Sequence, residues 1–407
     1  MSLIALVLFF ISFVLGWGLT LDEAVELAIK NNTSVRLSSI DLQKAEENIR
    51  KARAGILPRV GFSYSYTRLG GELAFGFTPK NRHSYLLNLE QTVFNRAVFE
   101  GISLARGQKE LQNLILEDVI REVKFQTKQL FYALLYKKEL VNIAQENLKY
   151  WEENYKQTEA KFKAGIIPKV ELMRSKAQLE SARANLENVT ADYKKSIEDF
   201  KKFLRYERDL EVQGKLEQAS LADEDYRKLL ENNSTIKVAR KSLEVLRKIV
   251  EVQKAQYYPS INLFVTYQGN TARVGGSESM VEGYTFGARL DYNLFDGFAR
   301  EASVAQARLD VLKQEEILKD TELSQSAELS KTLLDINSLK SQLRASELSL
   351  EASRESLRLS TERYRVGVAT QLEVLDAVNN YNNTLQNHYL LLYLYNTTIA
   401  RLERLTR

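Results

Sequence analysis

Apolar residues recur along this chain with three different spacings, and each spacing predicts a different element. From Leu3 to Leu15 runs a thirteen-residue apolar stretch with Ser12 its one polar residue, too short to cross a bilayer comfortably, and Gly16-Trp17-Gly18 behind it suits a signal peptidase. Residues 1–18 therefore read as an export signal whose removal starts the mature chain near Leu19, although no Lys or Arg precedes the run. No later segment approaches the roughly 18 consecutive apolar residues of a transmembrane helix, so a further passage through a membrane requires a closed β-barrel.

The second spacing is two. Val60-Gly-Phe-Ser-Tyr-Ser-Tyr-Thr67 alternates large apolar with small or polar residues, and Tyr85, Leu87, Leu89 and Val93 resume the pattern after a Gly-rich loop from Leu69 to Arg82. Ile261, Leu263, Val265 and Tyr267, then Tyr284, Phe286, Ala288, Leu290, Tyr292 and Leu294, repeat it around a second loop, Gly269 to Gly283. Four strands are predicted, at about 58–68, 85–95, 259–269 and 284–296, each with one greasy and one wet face. Strands of about ten residues tilted about 45° match the hydrocarbon thickness of an outer membrane. Tyr64, Tyr66, Tyr85, Tyr267, Tyr284 and Tyr292 would supply the interfacial aromatics. Four strands cannot close a barrel alone, so the chain is expected to associate with copies of itself.

The third spacing is seven. Leu134, Val141, Leu148, Tyr155 and Phe162, and again Leu329, Ile336, Leu343, Leu350, Leu357 and Tyr364, mark two Pro-free helices at about 97–163 and 299–365. Sustained sevens mean coiled-coil packing, and roughly 67 residues make a rod of about 100 Å. Helices at about 170–204 and 371–405 return as antiparallel partners. A shorter helical pattern runs from about Asp22 to Gly55, with Thr20 as N-cap and Glu23 at the third helical position, and Pro58 stops it. Serines from Ser324 to Ser360 along the second rod, and Asn379, Asn380, Asn382, Asn383 and Asn387 on the last helix, fit a solvated outer face or a wet lumen equally well.

These elements occur twice. Laying residue n over residue n+201 puts Asn31-Asn32-Thr33 on Asn232-Asn233-Ser234, Pro58 on Pro259, Tyr66 on Tyr267 and Phe94-Asn95 on Phe295-Asp296. After one inserted residue, Ala160 to Gly165 falls on Glu362 to Gly367 and Glu171 on Glu373. The chain thus reads as a first repeat at 19–204, a small linker element at 205–225 midway along the rods, and a second repeat at 226–407.

Composition narrows the function. Four Pro in 407 residues, against an average usage of about 5%, agree with long uninterrupted helices. With no Cys, and only His83 and His388, disulfide frameworks, thiolate metal sites and His cages are excluded, and no metal or other cofactor is expected. Lys plus Arg at 57 against Asp plus Glu at 53 is too balanced for a nucleic-acid footprint. No arrangement of nucleophile, base and orienting group, and no phosphate-binding loop, points to an enzyme.

Several landmarks together carry a resemblance: Pro58 and Pro259 before amphipathic strands, Leu294-Phe295-Asp296-Gly297 leaving the last strand, and Tyr364-Arg-Val-Gly367 followed by Glu373-Val-Leu-Asp-Ala377. In these the chain resembles the TolC-like outer membrane efflux protein family, over essentially the whole mature length. The resemblance implies a mainly α fold with a membrane β-barrel: a homotrimer whose twelve strands form one barrel in outer membrane lipid, continued by a periplasmic α-helical coiled-coil tube. It implies a passive exit duct for tripartite efflux or type I secretion. Such a duct is fed by an inner-membrane transporter of RND, ABC or MFS type through a periplasmic adaptor (membrane fusion) protein. By the same resemblance, the helix tips Ala164-Gly165-Ile166 and Val366-Gly367-Val368 meet the adaptor's helical hairpin, Glu373 and Asp376 ring the periplasmic entrance, and Glu171 and Tyr364 join its closing network. Local roles stand beside these, since Gly ends helices and carboxylates in first turns complement helix dipoles. Ala369 departs from the family pattern, which has Arg there. The rival reading is a periplasmic coiled-coil adaptor or structural protein without a pore, which has no need of two symmetric pairs of aromatic strands.

Overall fold

The structure, a computed structural model, describes residues 18–73, 78–222, 224–274 and 277–406. Apart from Gly18, the run read as an export signal lies outside the described residues. The chain runs β1 (Gly18–Leu19), α1 (Leu21–Asn31), α2 (Thr33–Arg53), β2 (Arg59–Arg68), β3 (Asn81–Asn95), α3 (Arg96–Lys163), α4 (Lys169–Leu204), β4 (Glu211–Val212), α5 (Tyr226–Leu229), α6 (Ser234–Lys254), β5 (Ser260–Val274), β6 (Ser277–Asp291), α7 (Ala299–Arg365) and α8 (Gln371–Thr406). It divides into two compact units, one of Met1–Leu37, Glu117–Ser234 and Leu323–Arg407, the other of Ser38–Leu116 and Thr235–Glu322.

In the first unit, Thr20 starts α1 with a capping box: its hydroxyl accepts from the Glu23 amide and its own amide donates to the Glu23 carboxylate at 2.9 Å. The helical pattern from Asp22 to Gly55 is, however, two helices. Asn32 leaves the helix with ψ of 136°, its Oδ1 accepts from the Ser34 amide at 2.8 Å, and its Nδ2 donates to the Phe203 carbonyl at 3.1 Å. Asn233 does the equivalent work in the second repeat, fully buried, donating to the Leu405 carbonyl at 3.0 Å. One side chain at each break thus binds it to the last turn of a return helix, and at Asn32 the same side chain also serves an orphaned helix-end amide. Apolar periodicity continues through both breaks and hides them in the sequence.

The segment predicted as a linker contains β4, which pairs in parallel with β1, and Val212 there is completely buried. Along the rods, Leu134, Leu329, Ile336 and Leu343 of the seven-residue series are buried to within 2%. Ser346 and Ser353 are buried too, which assigns them to neither a solvated face nor a lumen; their hydroxyls bond back to the Leu343 and Leu350 carbonyls. Buried positions of α3 and α7 correspond at an offset of 202: Ile102 with Val304, Leu134 with Ile336, Trp151 with Ser353. The inserted residue therefore lies between Asp296 and Val304, a stretch that opens with Gly297, whose φ of 69°, followed by 67° at Phe298, lies in the left-handed region that Gly adopts without strain.

The second unit carries a four-stranded antiparallel sheet in the order β2-β3-β5-β6. Its register puts Phe62 opposite Leu87, Leu87 opposite Tyr267 and Tyr267 opposite Tyr284, so one face is continuously apolar. Phe62, Tyr284 and Phe286 remain 70%, 75% and 74% exposed on that face. The other face is mostly small and polar, with Ser65 bonded to Ser84 at 2.6 Å and Thr266 to Asn88 at 3.3 Å, and it also carries Leu86 and Phe264. Four strand limits differ from expectation. β3 begins at Asn81, inside the predicted loop. Gly269 to Gly283 is mostly ladder, from Gly269 opposite Glu282 to Val274 opposite Ser277, because pairing satisfies the backbone of a ribbon whatever its Gly and Ser content. β6 ends at Asp291, because Arg300 takes the Asn293 and Leu294 carbonyls at 2.9 and 3.3 Å while pairing with Asp296 at 2.9 Å.

Removing the Asn233 amide strands the buried Leu405 carbonyl, at a cost of about 1–3 kcal/mol. Asn233→Ala is expected to lower the temperature at which helical circular dichroism is lost, while Asn380→Ala, on an exposed helix face, leaves it unchanged.

Candidate functional site at the helix tips

The two rods end in the same way. The Gly165 amide donates to the Phe162 carbonyl and the Ile166 amide to the Lys161 carbonyl, both at 2.9 Å. Gly367 and Val368 repeat this onto Tyr364 and Arg363 at 3.1 and 2.9 Å. This is the Schellman pattern, closed by Gly165 and Gly367 at φ of 72° and 79°. Ala164, Gly165, Val366 and Gly367 are exposed, and the apolar side chains at the tips lie open: Ile166 at 71% and Val368 at 69%.

The return helices start differently. Pro168 precedes α4 with no side-chain cap, whereas Thr370 and Glu373 form a capping box at α8. Glu373 Oε1 accepts from the Thr370 amide at 3.2 Å, and its other oxygen stands 3.8 Å from Arg363 across the turn. Asp376 is exposed one turn further along α8. Glu171 lies in the first turn of α4, with one carboxylate oxygen 3.5 Å from Arg174 and the other shut off from solvent without a hydrogen-bond partner. Ala369, where the family pattern has Arg, bonds only through its amide to the Arg363 carbonyl, at 3.2 Å.

Tyr364 is the predicted residue that the structure joins to the other repeat. Lys161 lies 4.6 Å above its ring and 3.4 Å from its hydroxyl. Above this contact a ladder of amides, which sequence reasoning missed, links the two helix pairs. Asn154 Oδ1 accepts from Ser175 at 2.9 Å and from Gln371 at 3.3 Å, and Asn147 accepts from Asn382 at 3.0 Å. The signal was available: Asn147, Asn154 and Lys161 form a polar series of sevens one residue ahead of Leu148, Tyr155 and Phe162. Beside the ladder Trp151, Leu179, Ala182, Val374 and Val378 pack into one core with Tyr150 and Tyr364 against it. Burial, helped by Tyr364, pushes the Tyr150 hydroxyl up to about 12, so it remains a neutral donor.

Further along the α7–α8 seam, buried Ser346 meets His388 Nδ1 at 2.9 Å. Burial holds the imidazole below its ordinary 6.5, against a smaller opposing pull from Glu347. The folded chain therefore favours neutral His388. Above about pH 6.5 both states are neutral; below it the unfolded chain takes up the proton first, and stability is lost as pH falls toward the folded pKa. Melting profiles between pH 7.5 and 5 are expected to show this loss in the wild-type chain and to show less of it in His388→Asn.

Comparison with known proteins agrees with this architecture. A family model for the outer membrane efflux protein matches residues 24–204 and again 226–406. Outer membrane protein TolC of Salmonella enteritidis is 21% identical over 379 residues, spanning 88% of this chain and 75% of that protein. Nodulation protein T of Rhizobium leguminosarum bv. trifolii is 24% identical over 386 residues, spanning 89% and 80%. The CmeC outer membrane channel of Campylobacter jejuni shares the fold with a TM-score of 0.82 at 18% identity, over 95% of this chain and 85% of that one. The MtrE channel of Neisseria gonorrhoeae in its open state gives 0.80 at 18% identity, over 95% and 88%. The double match, one for each repeat, covers all but the ends of the chain and the segment between the repeats: the chain belongs to the outer membrane efflux protein family.

Proposed function

We propose that three copies of this chain form an outer-membrane duct, each giving four strands to one barrel and two helix pairs to a periplasmic tube. The observation that carries this is the sheet: its apolar face is open, and β2 and β6 leave unpaired edges at either side among the described residues. Lipid covers such a face, and copies of the chain close such edges. The small polar face then lines a wet channel.

Transport is passive. Cargo arrives from an inner-membrane transporter of RND, ABC or MFS type through a periplasmic adaptor, whose helical hairpin seats on the open apolar tips around Ile166 and Val368. Residues 1–18 direct export and are removed, so the protein recovered from membranes is expected to have the mass of a chain beginning near Leu19. The Asn147–Asn154–Lys161 ladder holds the tips closed, and recruitment of the adaptor releases it. Three copies each of Glu373 and Asp376 around one axis favour cations.

In planar bilayers the purified protein is expected to conduct cations in preference to anions. Glu373→Gln combined with Asp376→Asn should weaken that preference, and unchanged selectivity would reject the acidic ring. Asn154→Ala, which removes the acceptor shared by Ser175 and Gln371, should raise the conductance of the resting channel severalfold.

A further inference from the structure

Because the chain is written twice, the contact between its repeats is a template for the contact between neighbouring copies. In a closed ring, first and second repeats alternate, so each repeat meets one neighbour inside its own chain and one in the next. Inside the chain, Arg404 on α8 donates to Asp118 at 2.7 Å and to Glu122 at 3.1 Å on α3, and to the Ser234 hydroxyl at 3.1 Å; that hydroxyl donates in turn to Asp118 at 2.5 Å. Carried to the equivalent positions of the other repeat, Arg404 becomes Lys202, Ser234 becomes Thr33 and Asp118 becomes Asp320. The cation, the hydroxyl and the carboxylate that both of them bond are retained, while the second carboxylate, Glu122, becomes Ser324. Lys202, Thr33 and Asp320 are exposed on the single chain, and among the described residues neither Lys202 nor Asp320 enters an ion pair.

Two further contacts can be carried over, and both change character together. Lys241 and Glu110, 2.5 Å apart, become Ile40 and Leu312, which are 57% and 56% exposed. Arg96, 4.2 Å above the Tyr258 ring, becomes Phe298, with Leu57 in place of the tyrosine; they are 68% and 58% exposed. In each case both members of a polar or cation–π pair have turned apolar. Among the described residues these side chains stay largely open, with only the Phe295 ring, 5.5 Å away edge-on, beside Phe298, and a surface facing water gains nothing from such matched replacement.

We infer that neighbouring chains dock through a second version of the internal interface. Lys202 and Thr33 of one chain face Asp320 of the partner subunit, Ile40 packs on Leu312 of the partner subunit, and Leu57 packs on Phe298 of the partner subunit. This rests on the ring of three chains proposed above, and it adds the register and the residues.

The absence of Cys makes the test clean. The double variant Ile40→Cys/Leu312→Cys, treated with a short bis-maleimide, is expected to give a three-chain ladder on denaturing gels. Each single variant should give none. Ile40→Cys/Leu334→Cys should also give none, because Leu334, though 68% exposed, lies about 33 Å further along α7. Light scattering on the same samples counts the chains. Three chains without the ladder, or an equal ladder from the Leu334 pair, overturns this docking and leaves the duct standing; a single chain overturns both. Lys202→Glu should lower the temperature at which chains separate in detergent, and adding Asp320→Lys should restore it. Failure of the second charge to restore the first removes the ionic contact.

Discussion

A sheet that is apolar on one face and unpaired at both edges is the constraint on which the rest of this molecule depends. The described residues of one chain put nothing over Phe62, Tyr284 and Phe286, and leaving such a side chain in water costs about 1.5–3 kcal/mol each. In the proposed duct, lipid meets the first demand and copies of the chain meet the second. The long helices fit that proposal, because a barrel made of several chains needs a scaffold that brings the strands together in register. The internal apolar seam of the rods, with Leu134 and Ile336 nearly inaccessible, gives the first unit of each chain a packed body.

Duplication explains how one sequence supplies both halves of that body. The break at Asn32 and the break at Asn233 use the same residue to bind the same part of a return helix. The rod tips end in the same hydrogen-bond pattern, closed by Gly165 and Gly367. Where the repeats diverge, the divergence is local and chemical. Gly297 turns the backbone left-handed at the exit of β6, and Pro168 starts one return helix where Thr370 and Glu373 cap the other. The tip that carries the capping box therefore has its carboxylate fixed, with one oxygen committed to the helix end and the other toward Arg363.

Much of the fold was legible because period and punctuation coincide in this sequence. Sevens without Pro can only be long packed helices, and alternation beginning just after Pro58 and Pro259 can only be strands. What escaped was set by tertiary contacts that leave the apolar period undisturbed. The helix break at Asn32 depends on a carbonyl 171 residues away, and β6 ends early because Arg300 competes for carbonyls that would otherwise continue the sheet. At the tips, Glu171, Tyr364, Glu373 and Asp376 were named by resemblance. The geometry adds that Tyr364 holds Lys161 and that uncharged Asn154 and Asn147 carry the links between helix pairs. Amides of that kind look like ordinary surface residues until their partners on another helix are known.

Whether copies of the chain close the sheet is read most directly from backbone amide hydrogen exchange in protein extracted from membranes. The account predicts that the amides of β2 and β6, the two edge strands of the single chain, exchange as slowly as those of the inner strands β3 and β5. Fast exchange along β2 and β6, with protection confined to β3 and β5, would mean that the edges remain open and would contradict it.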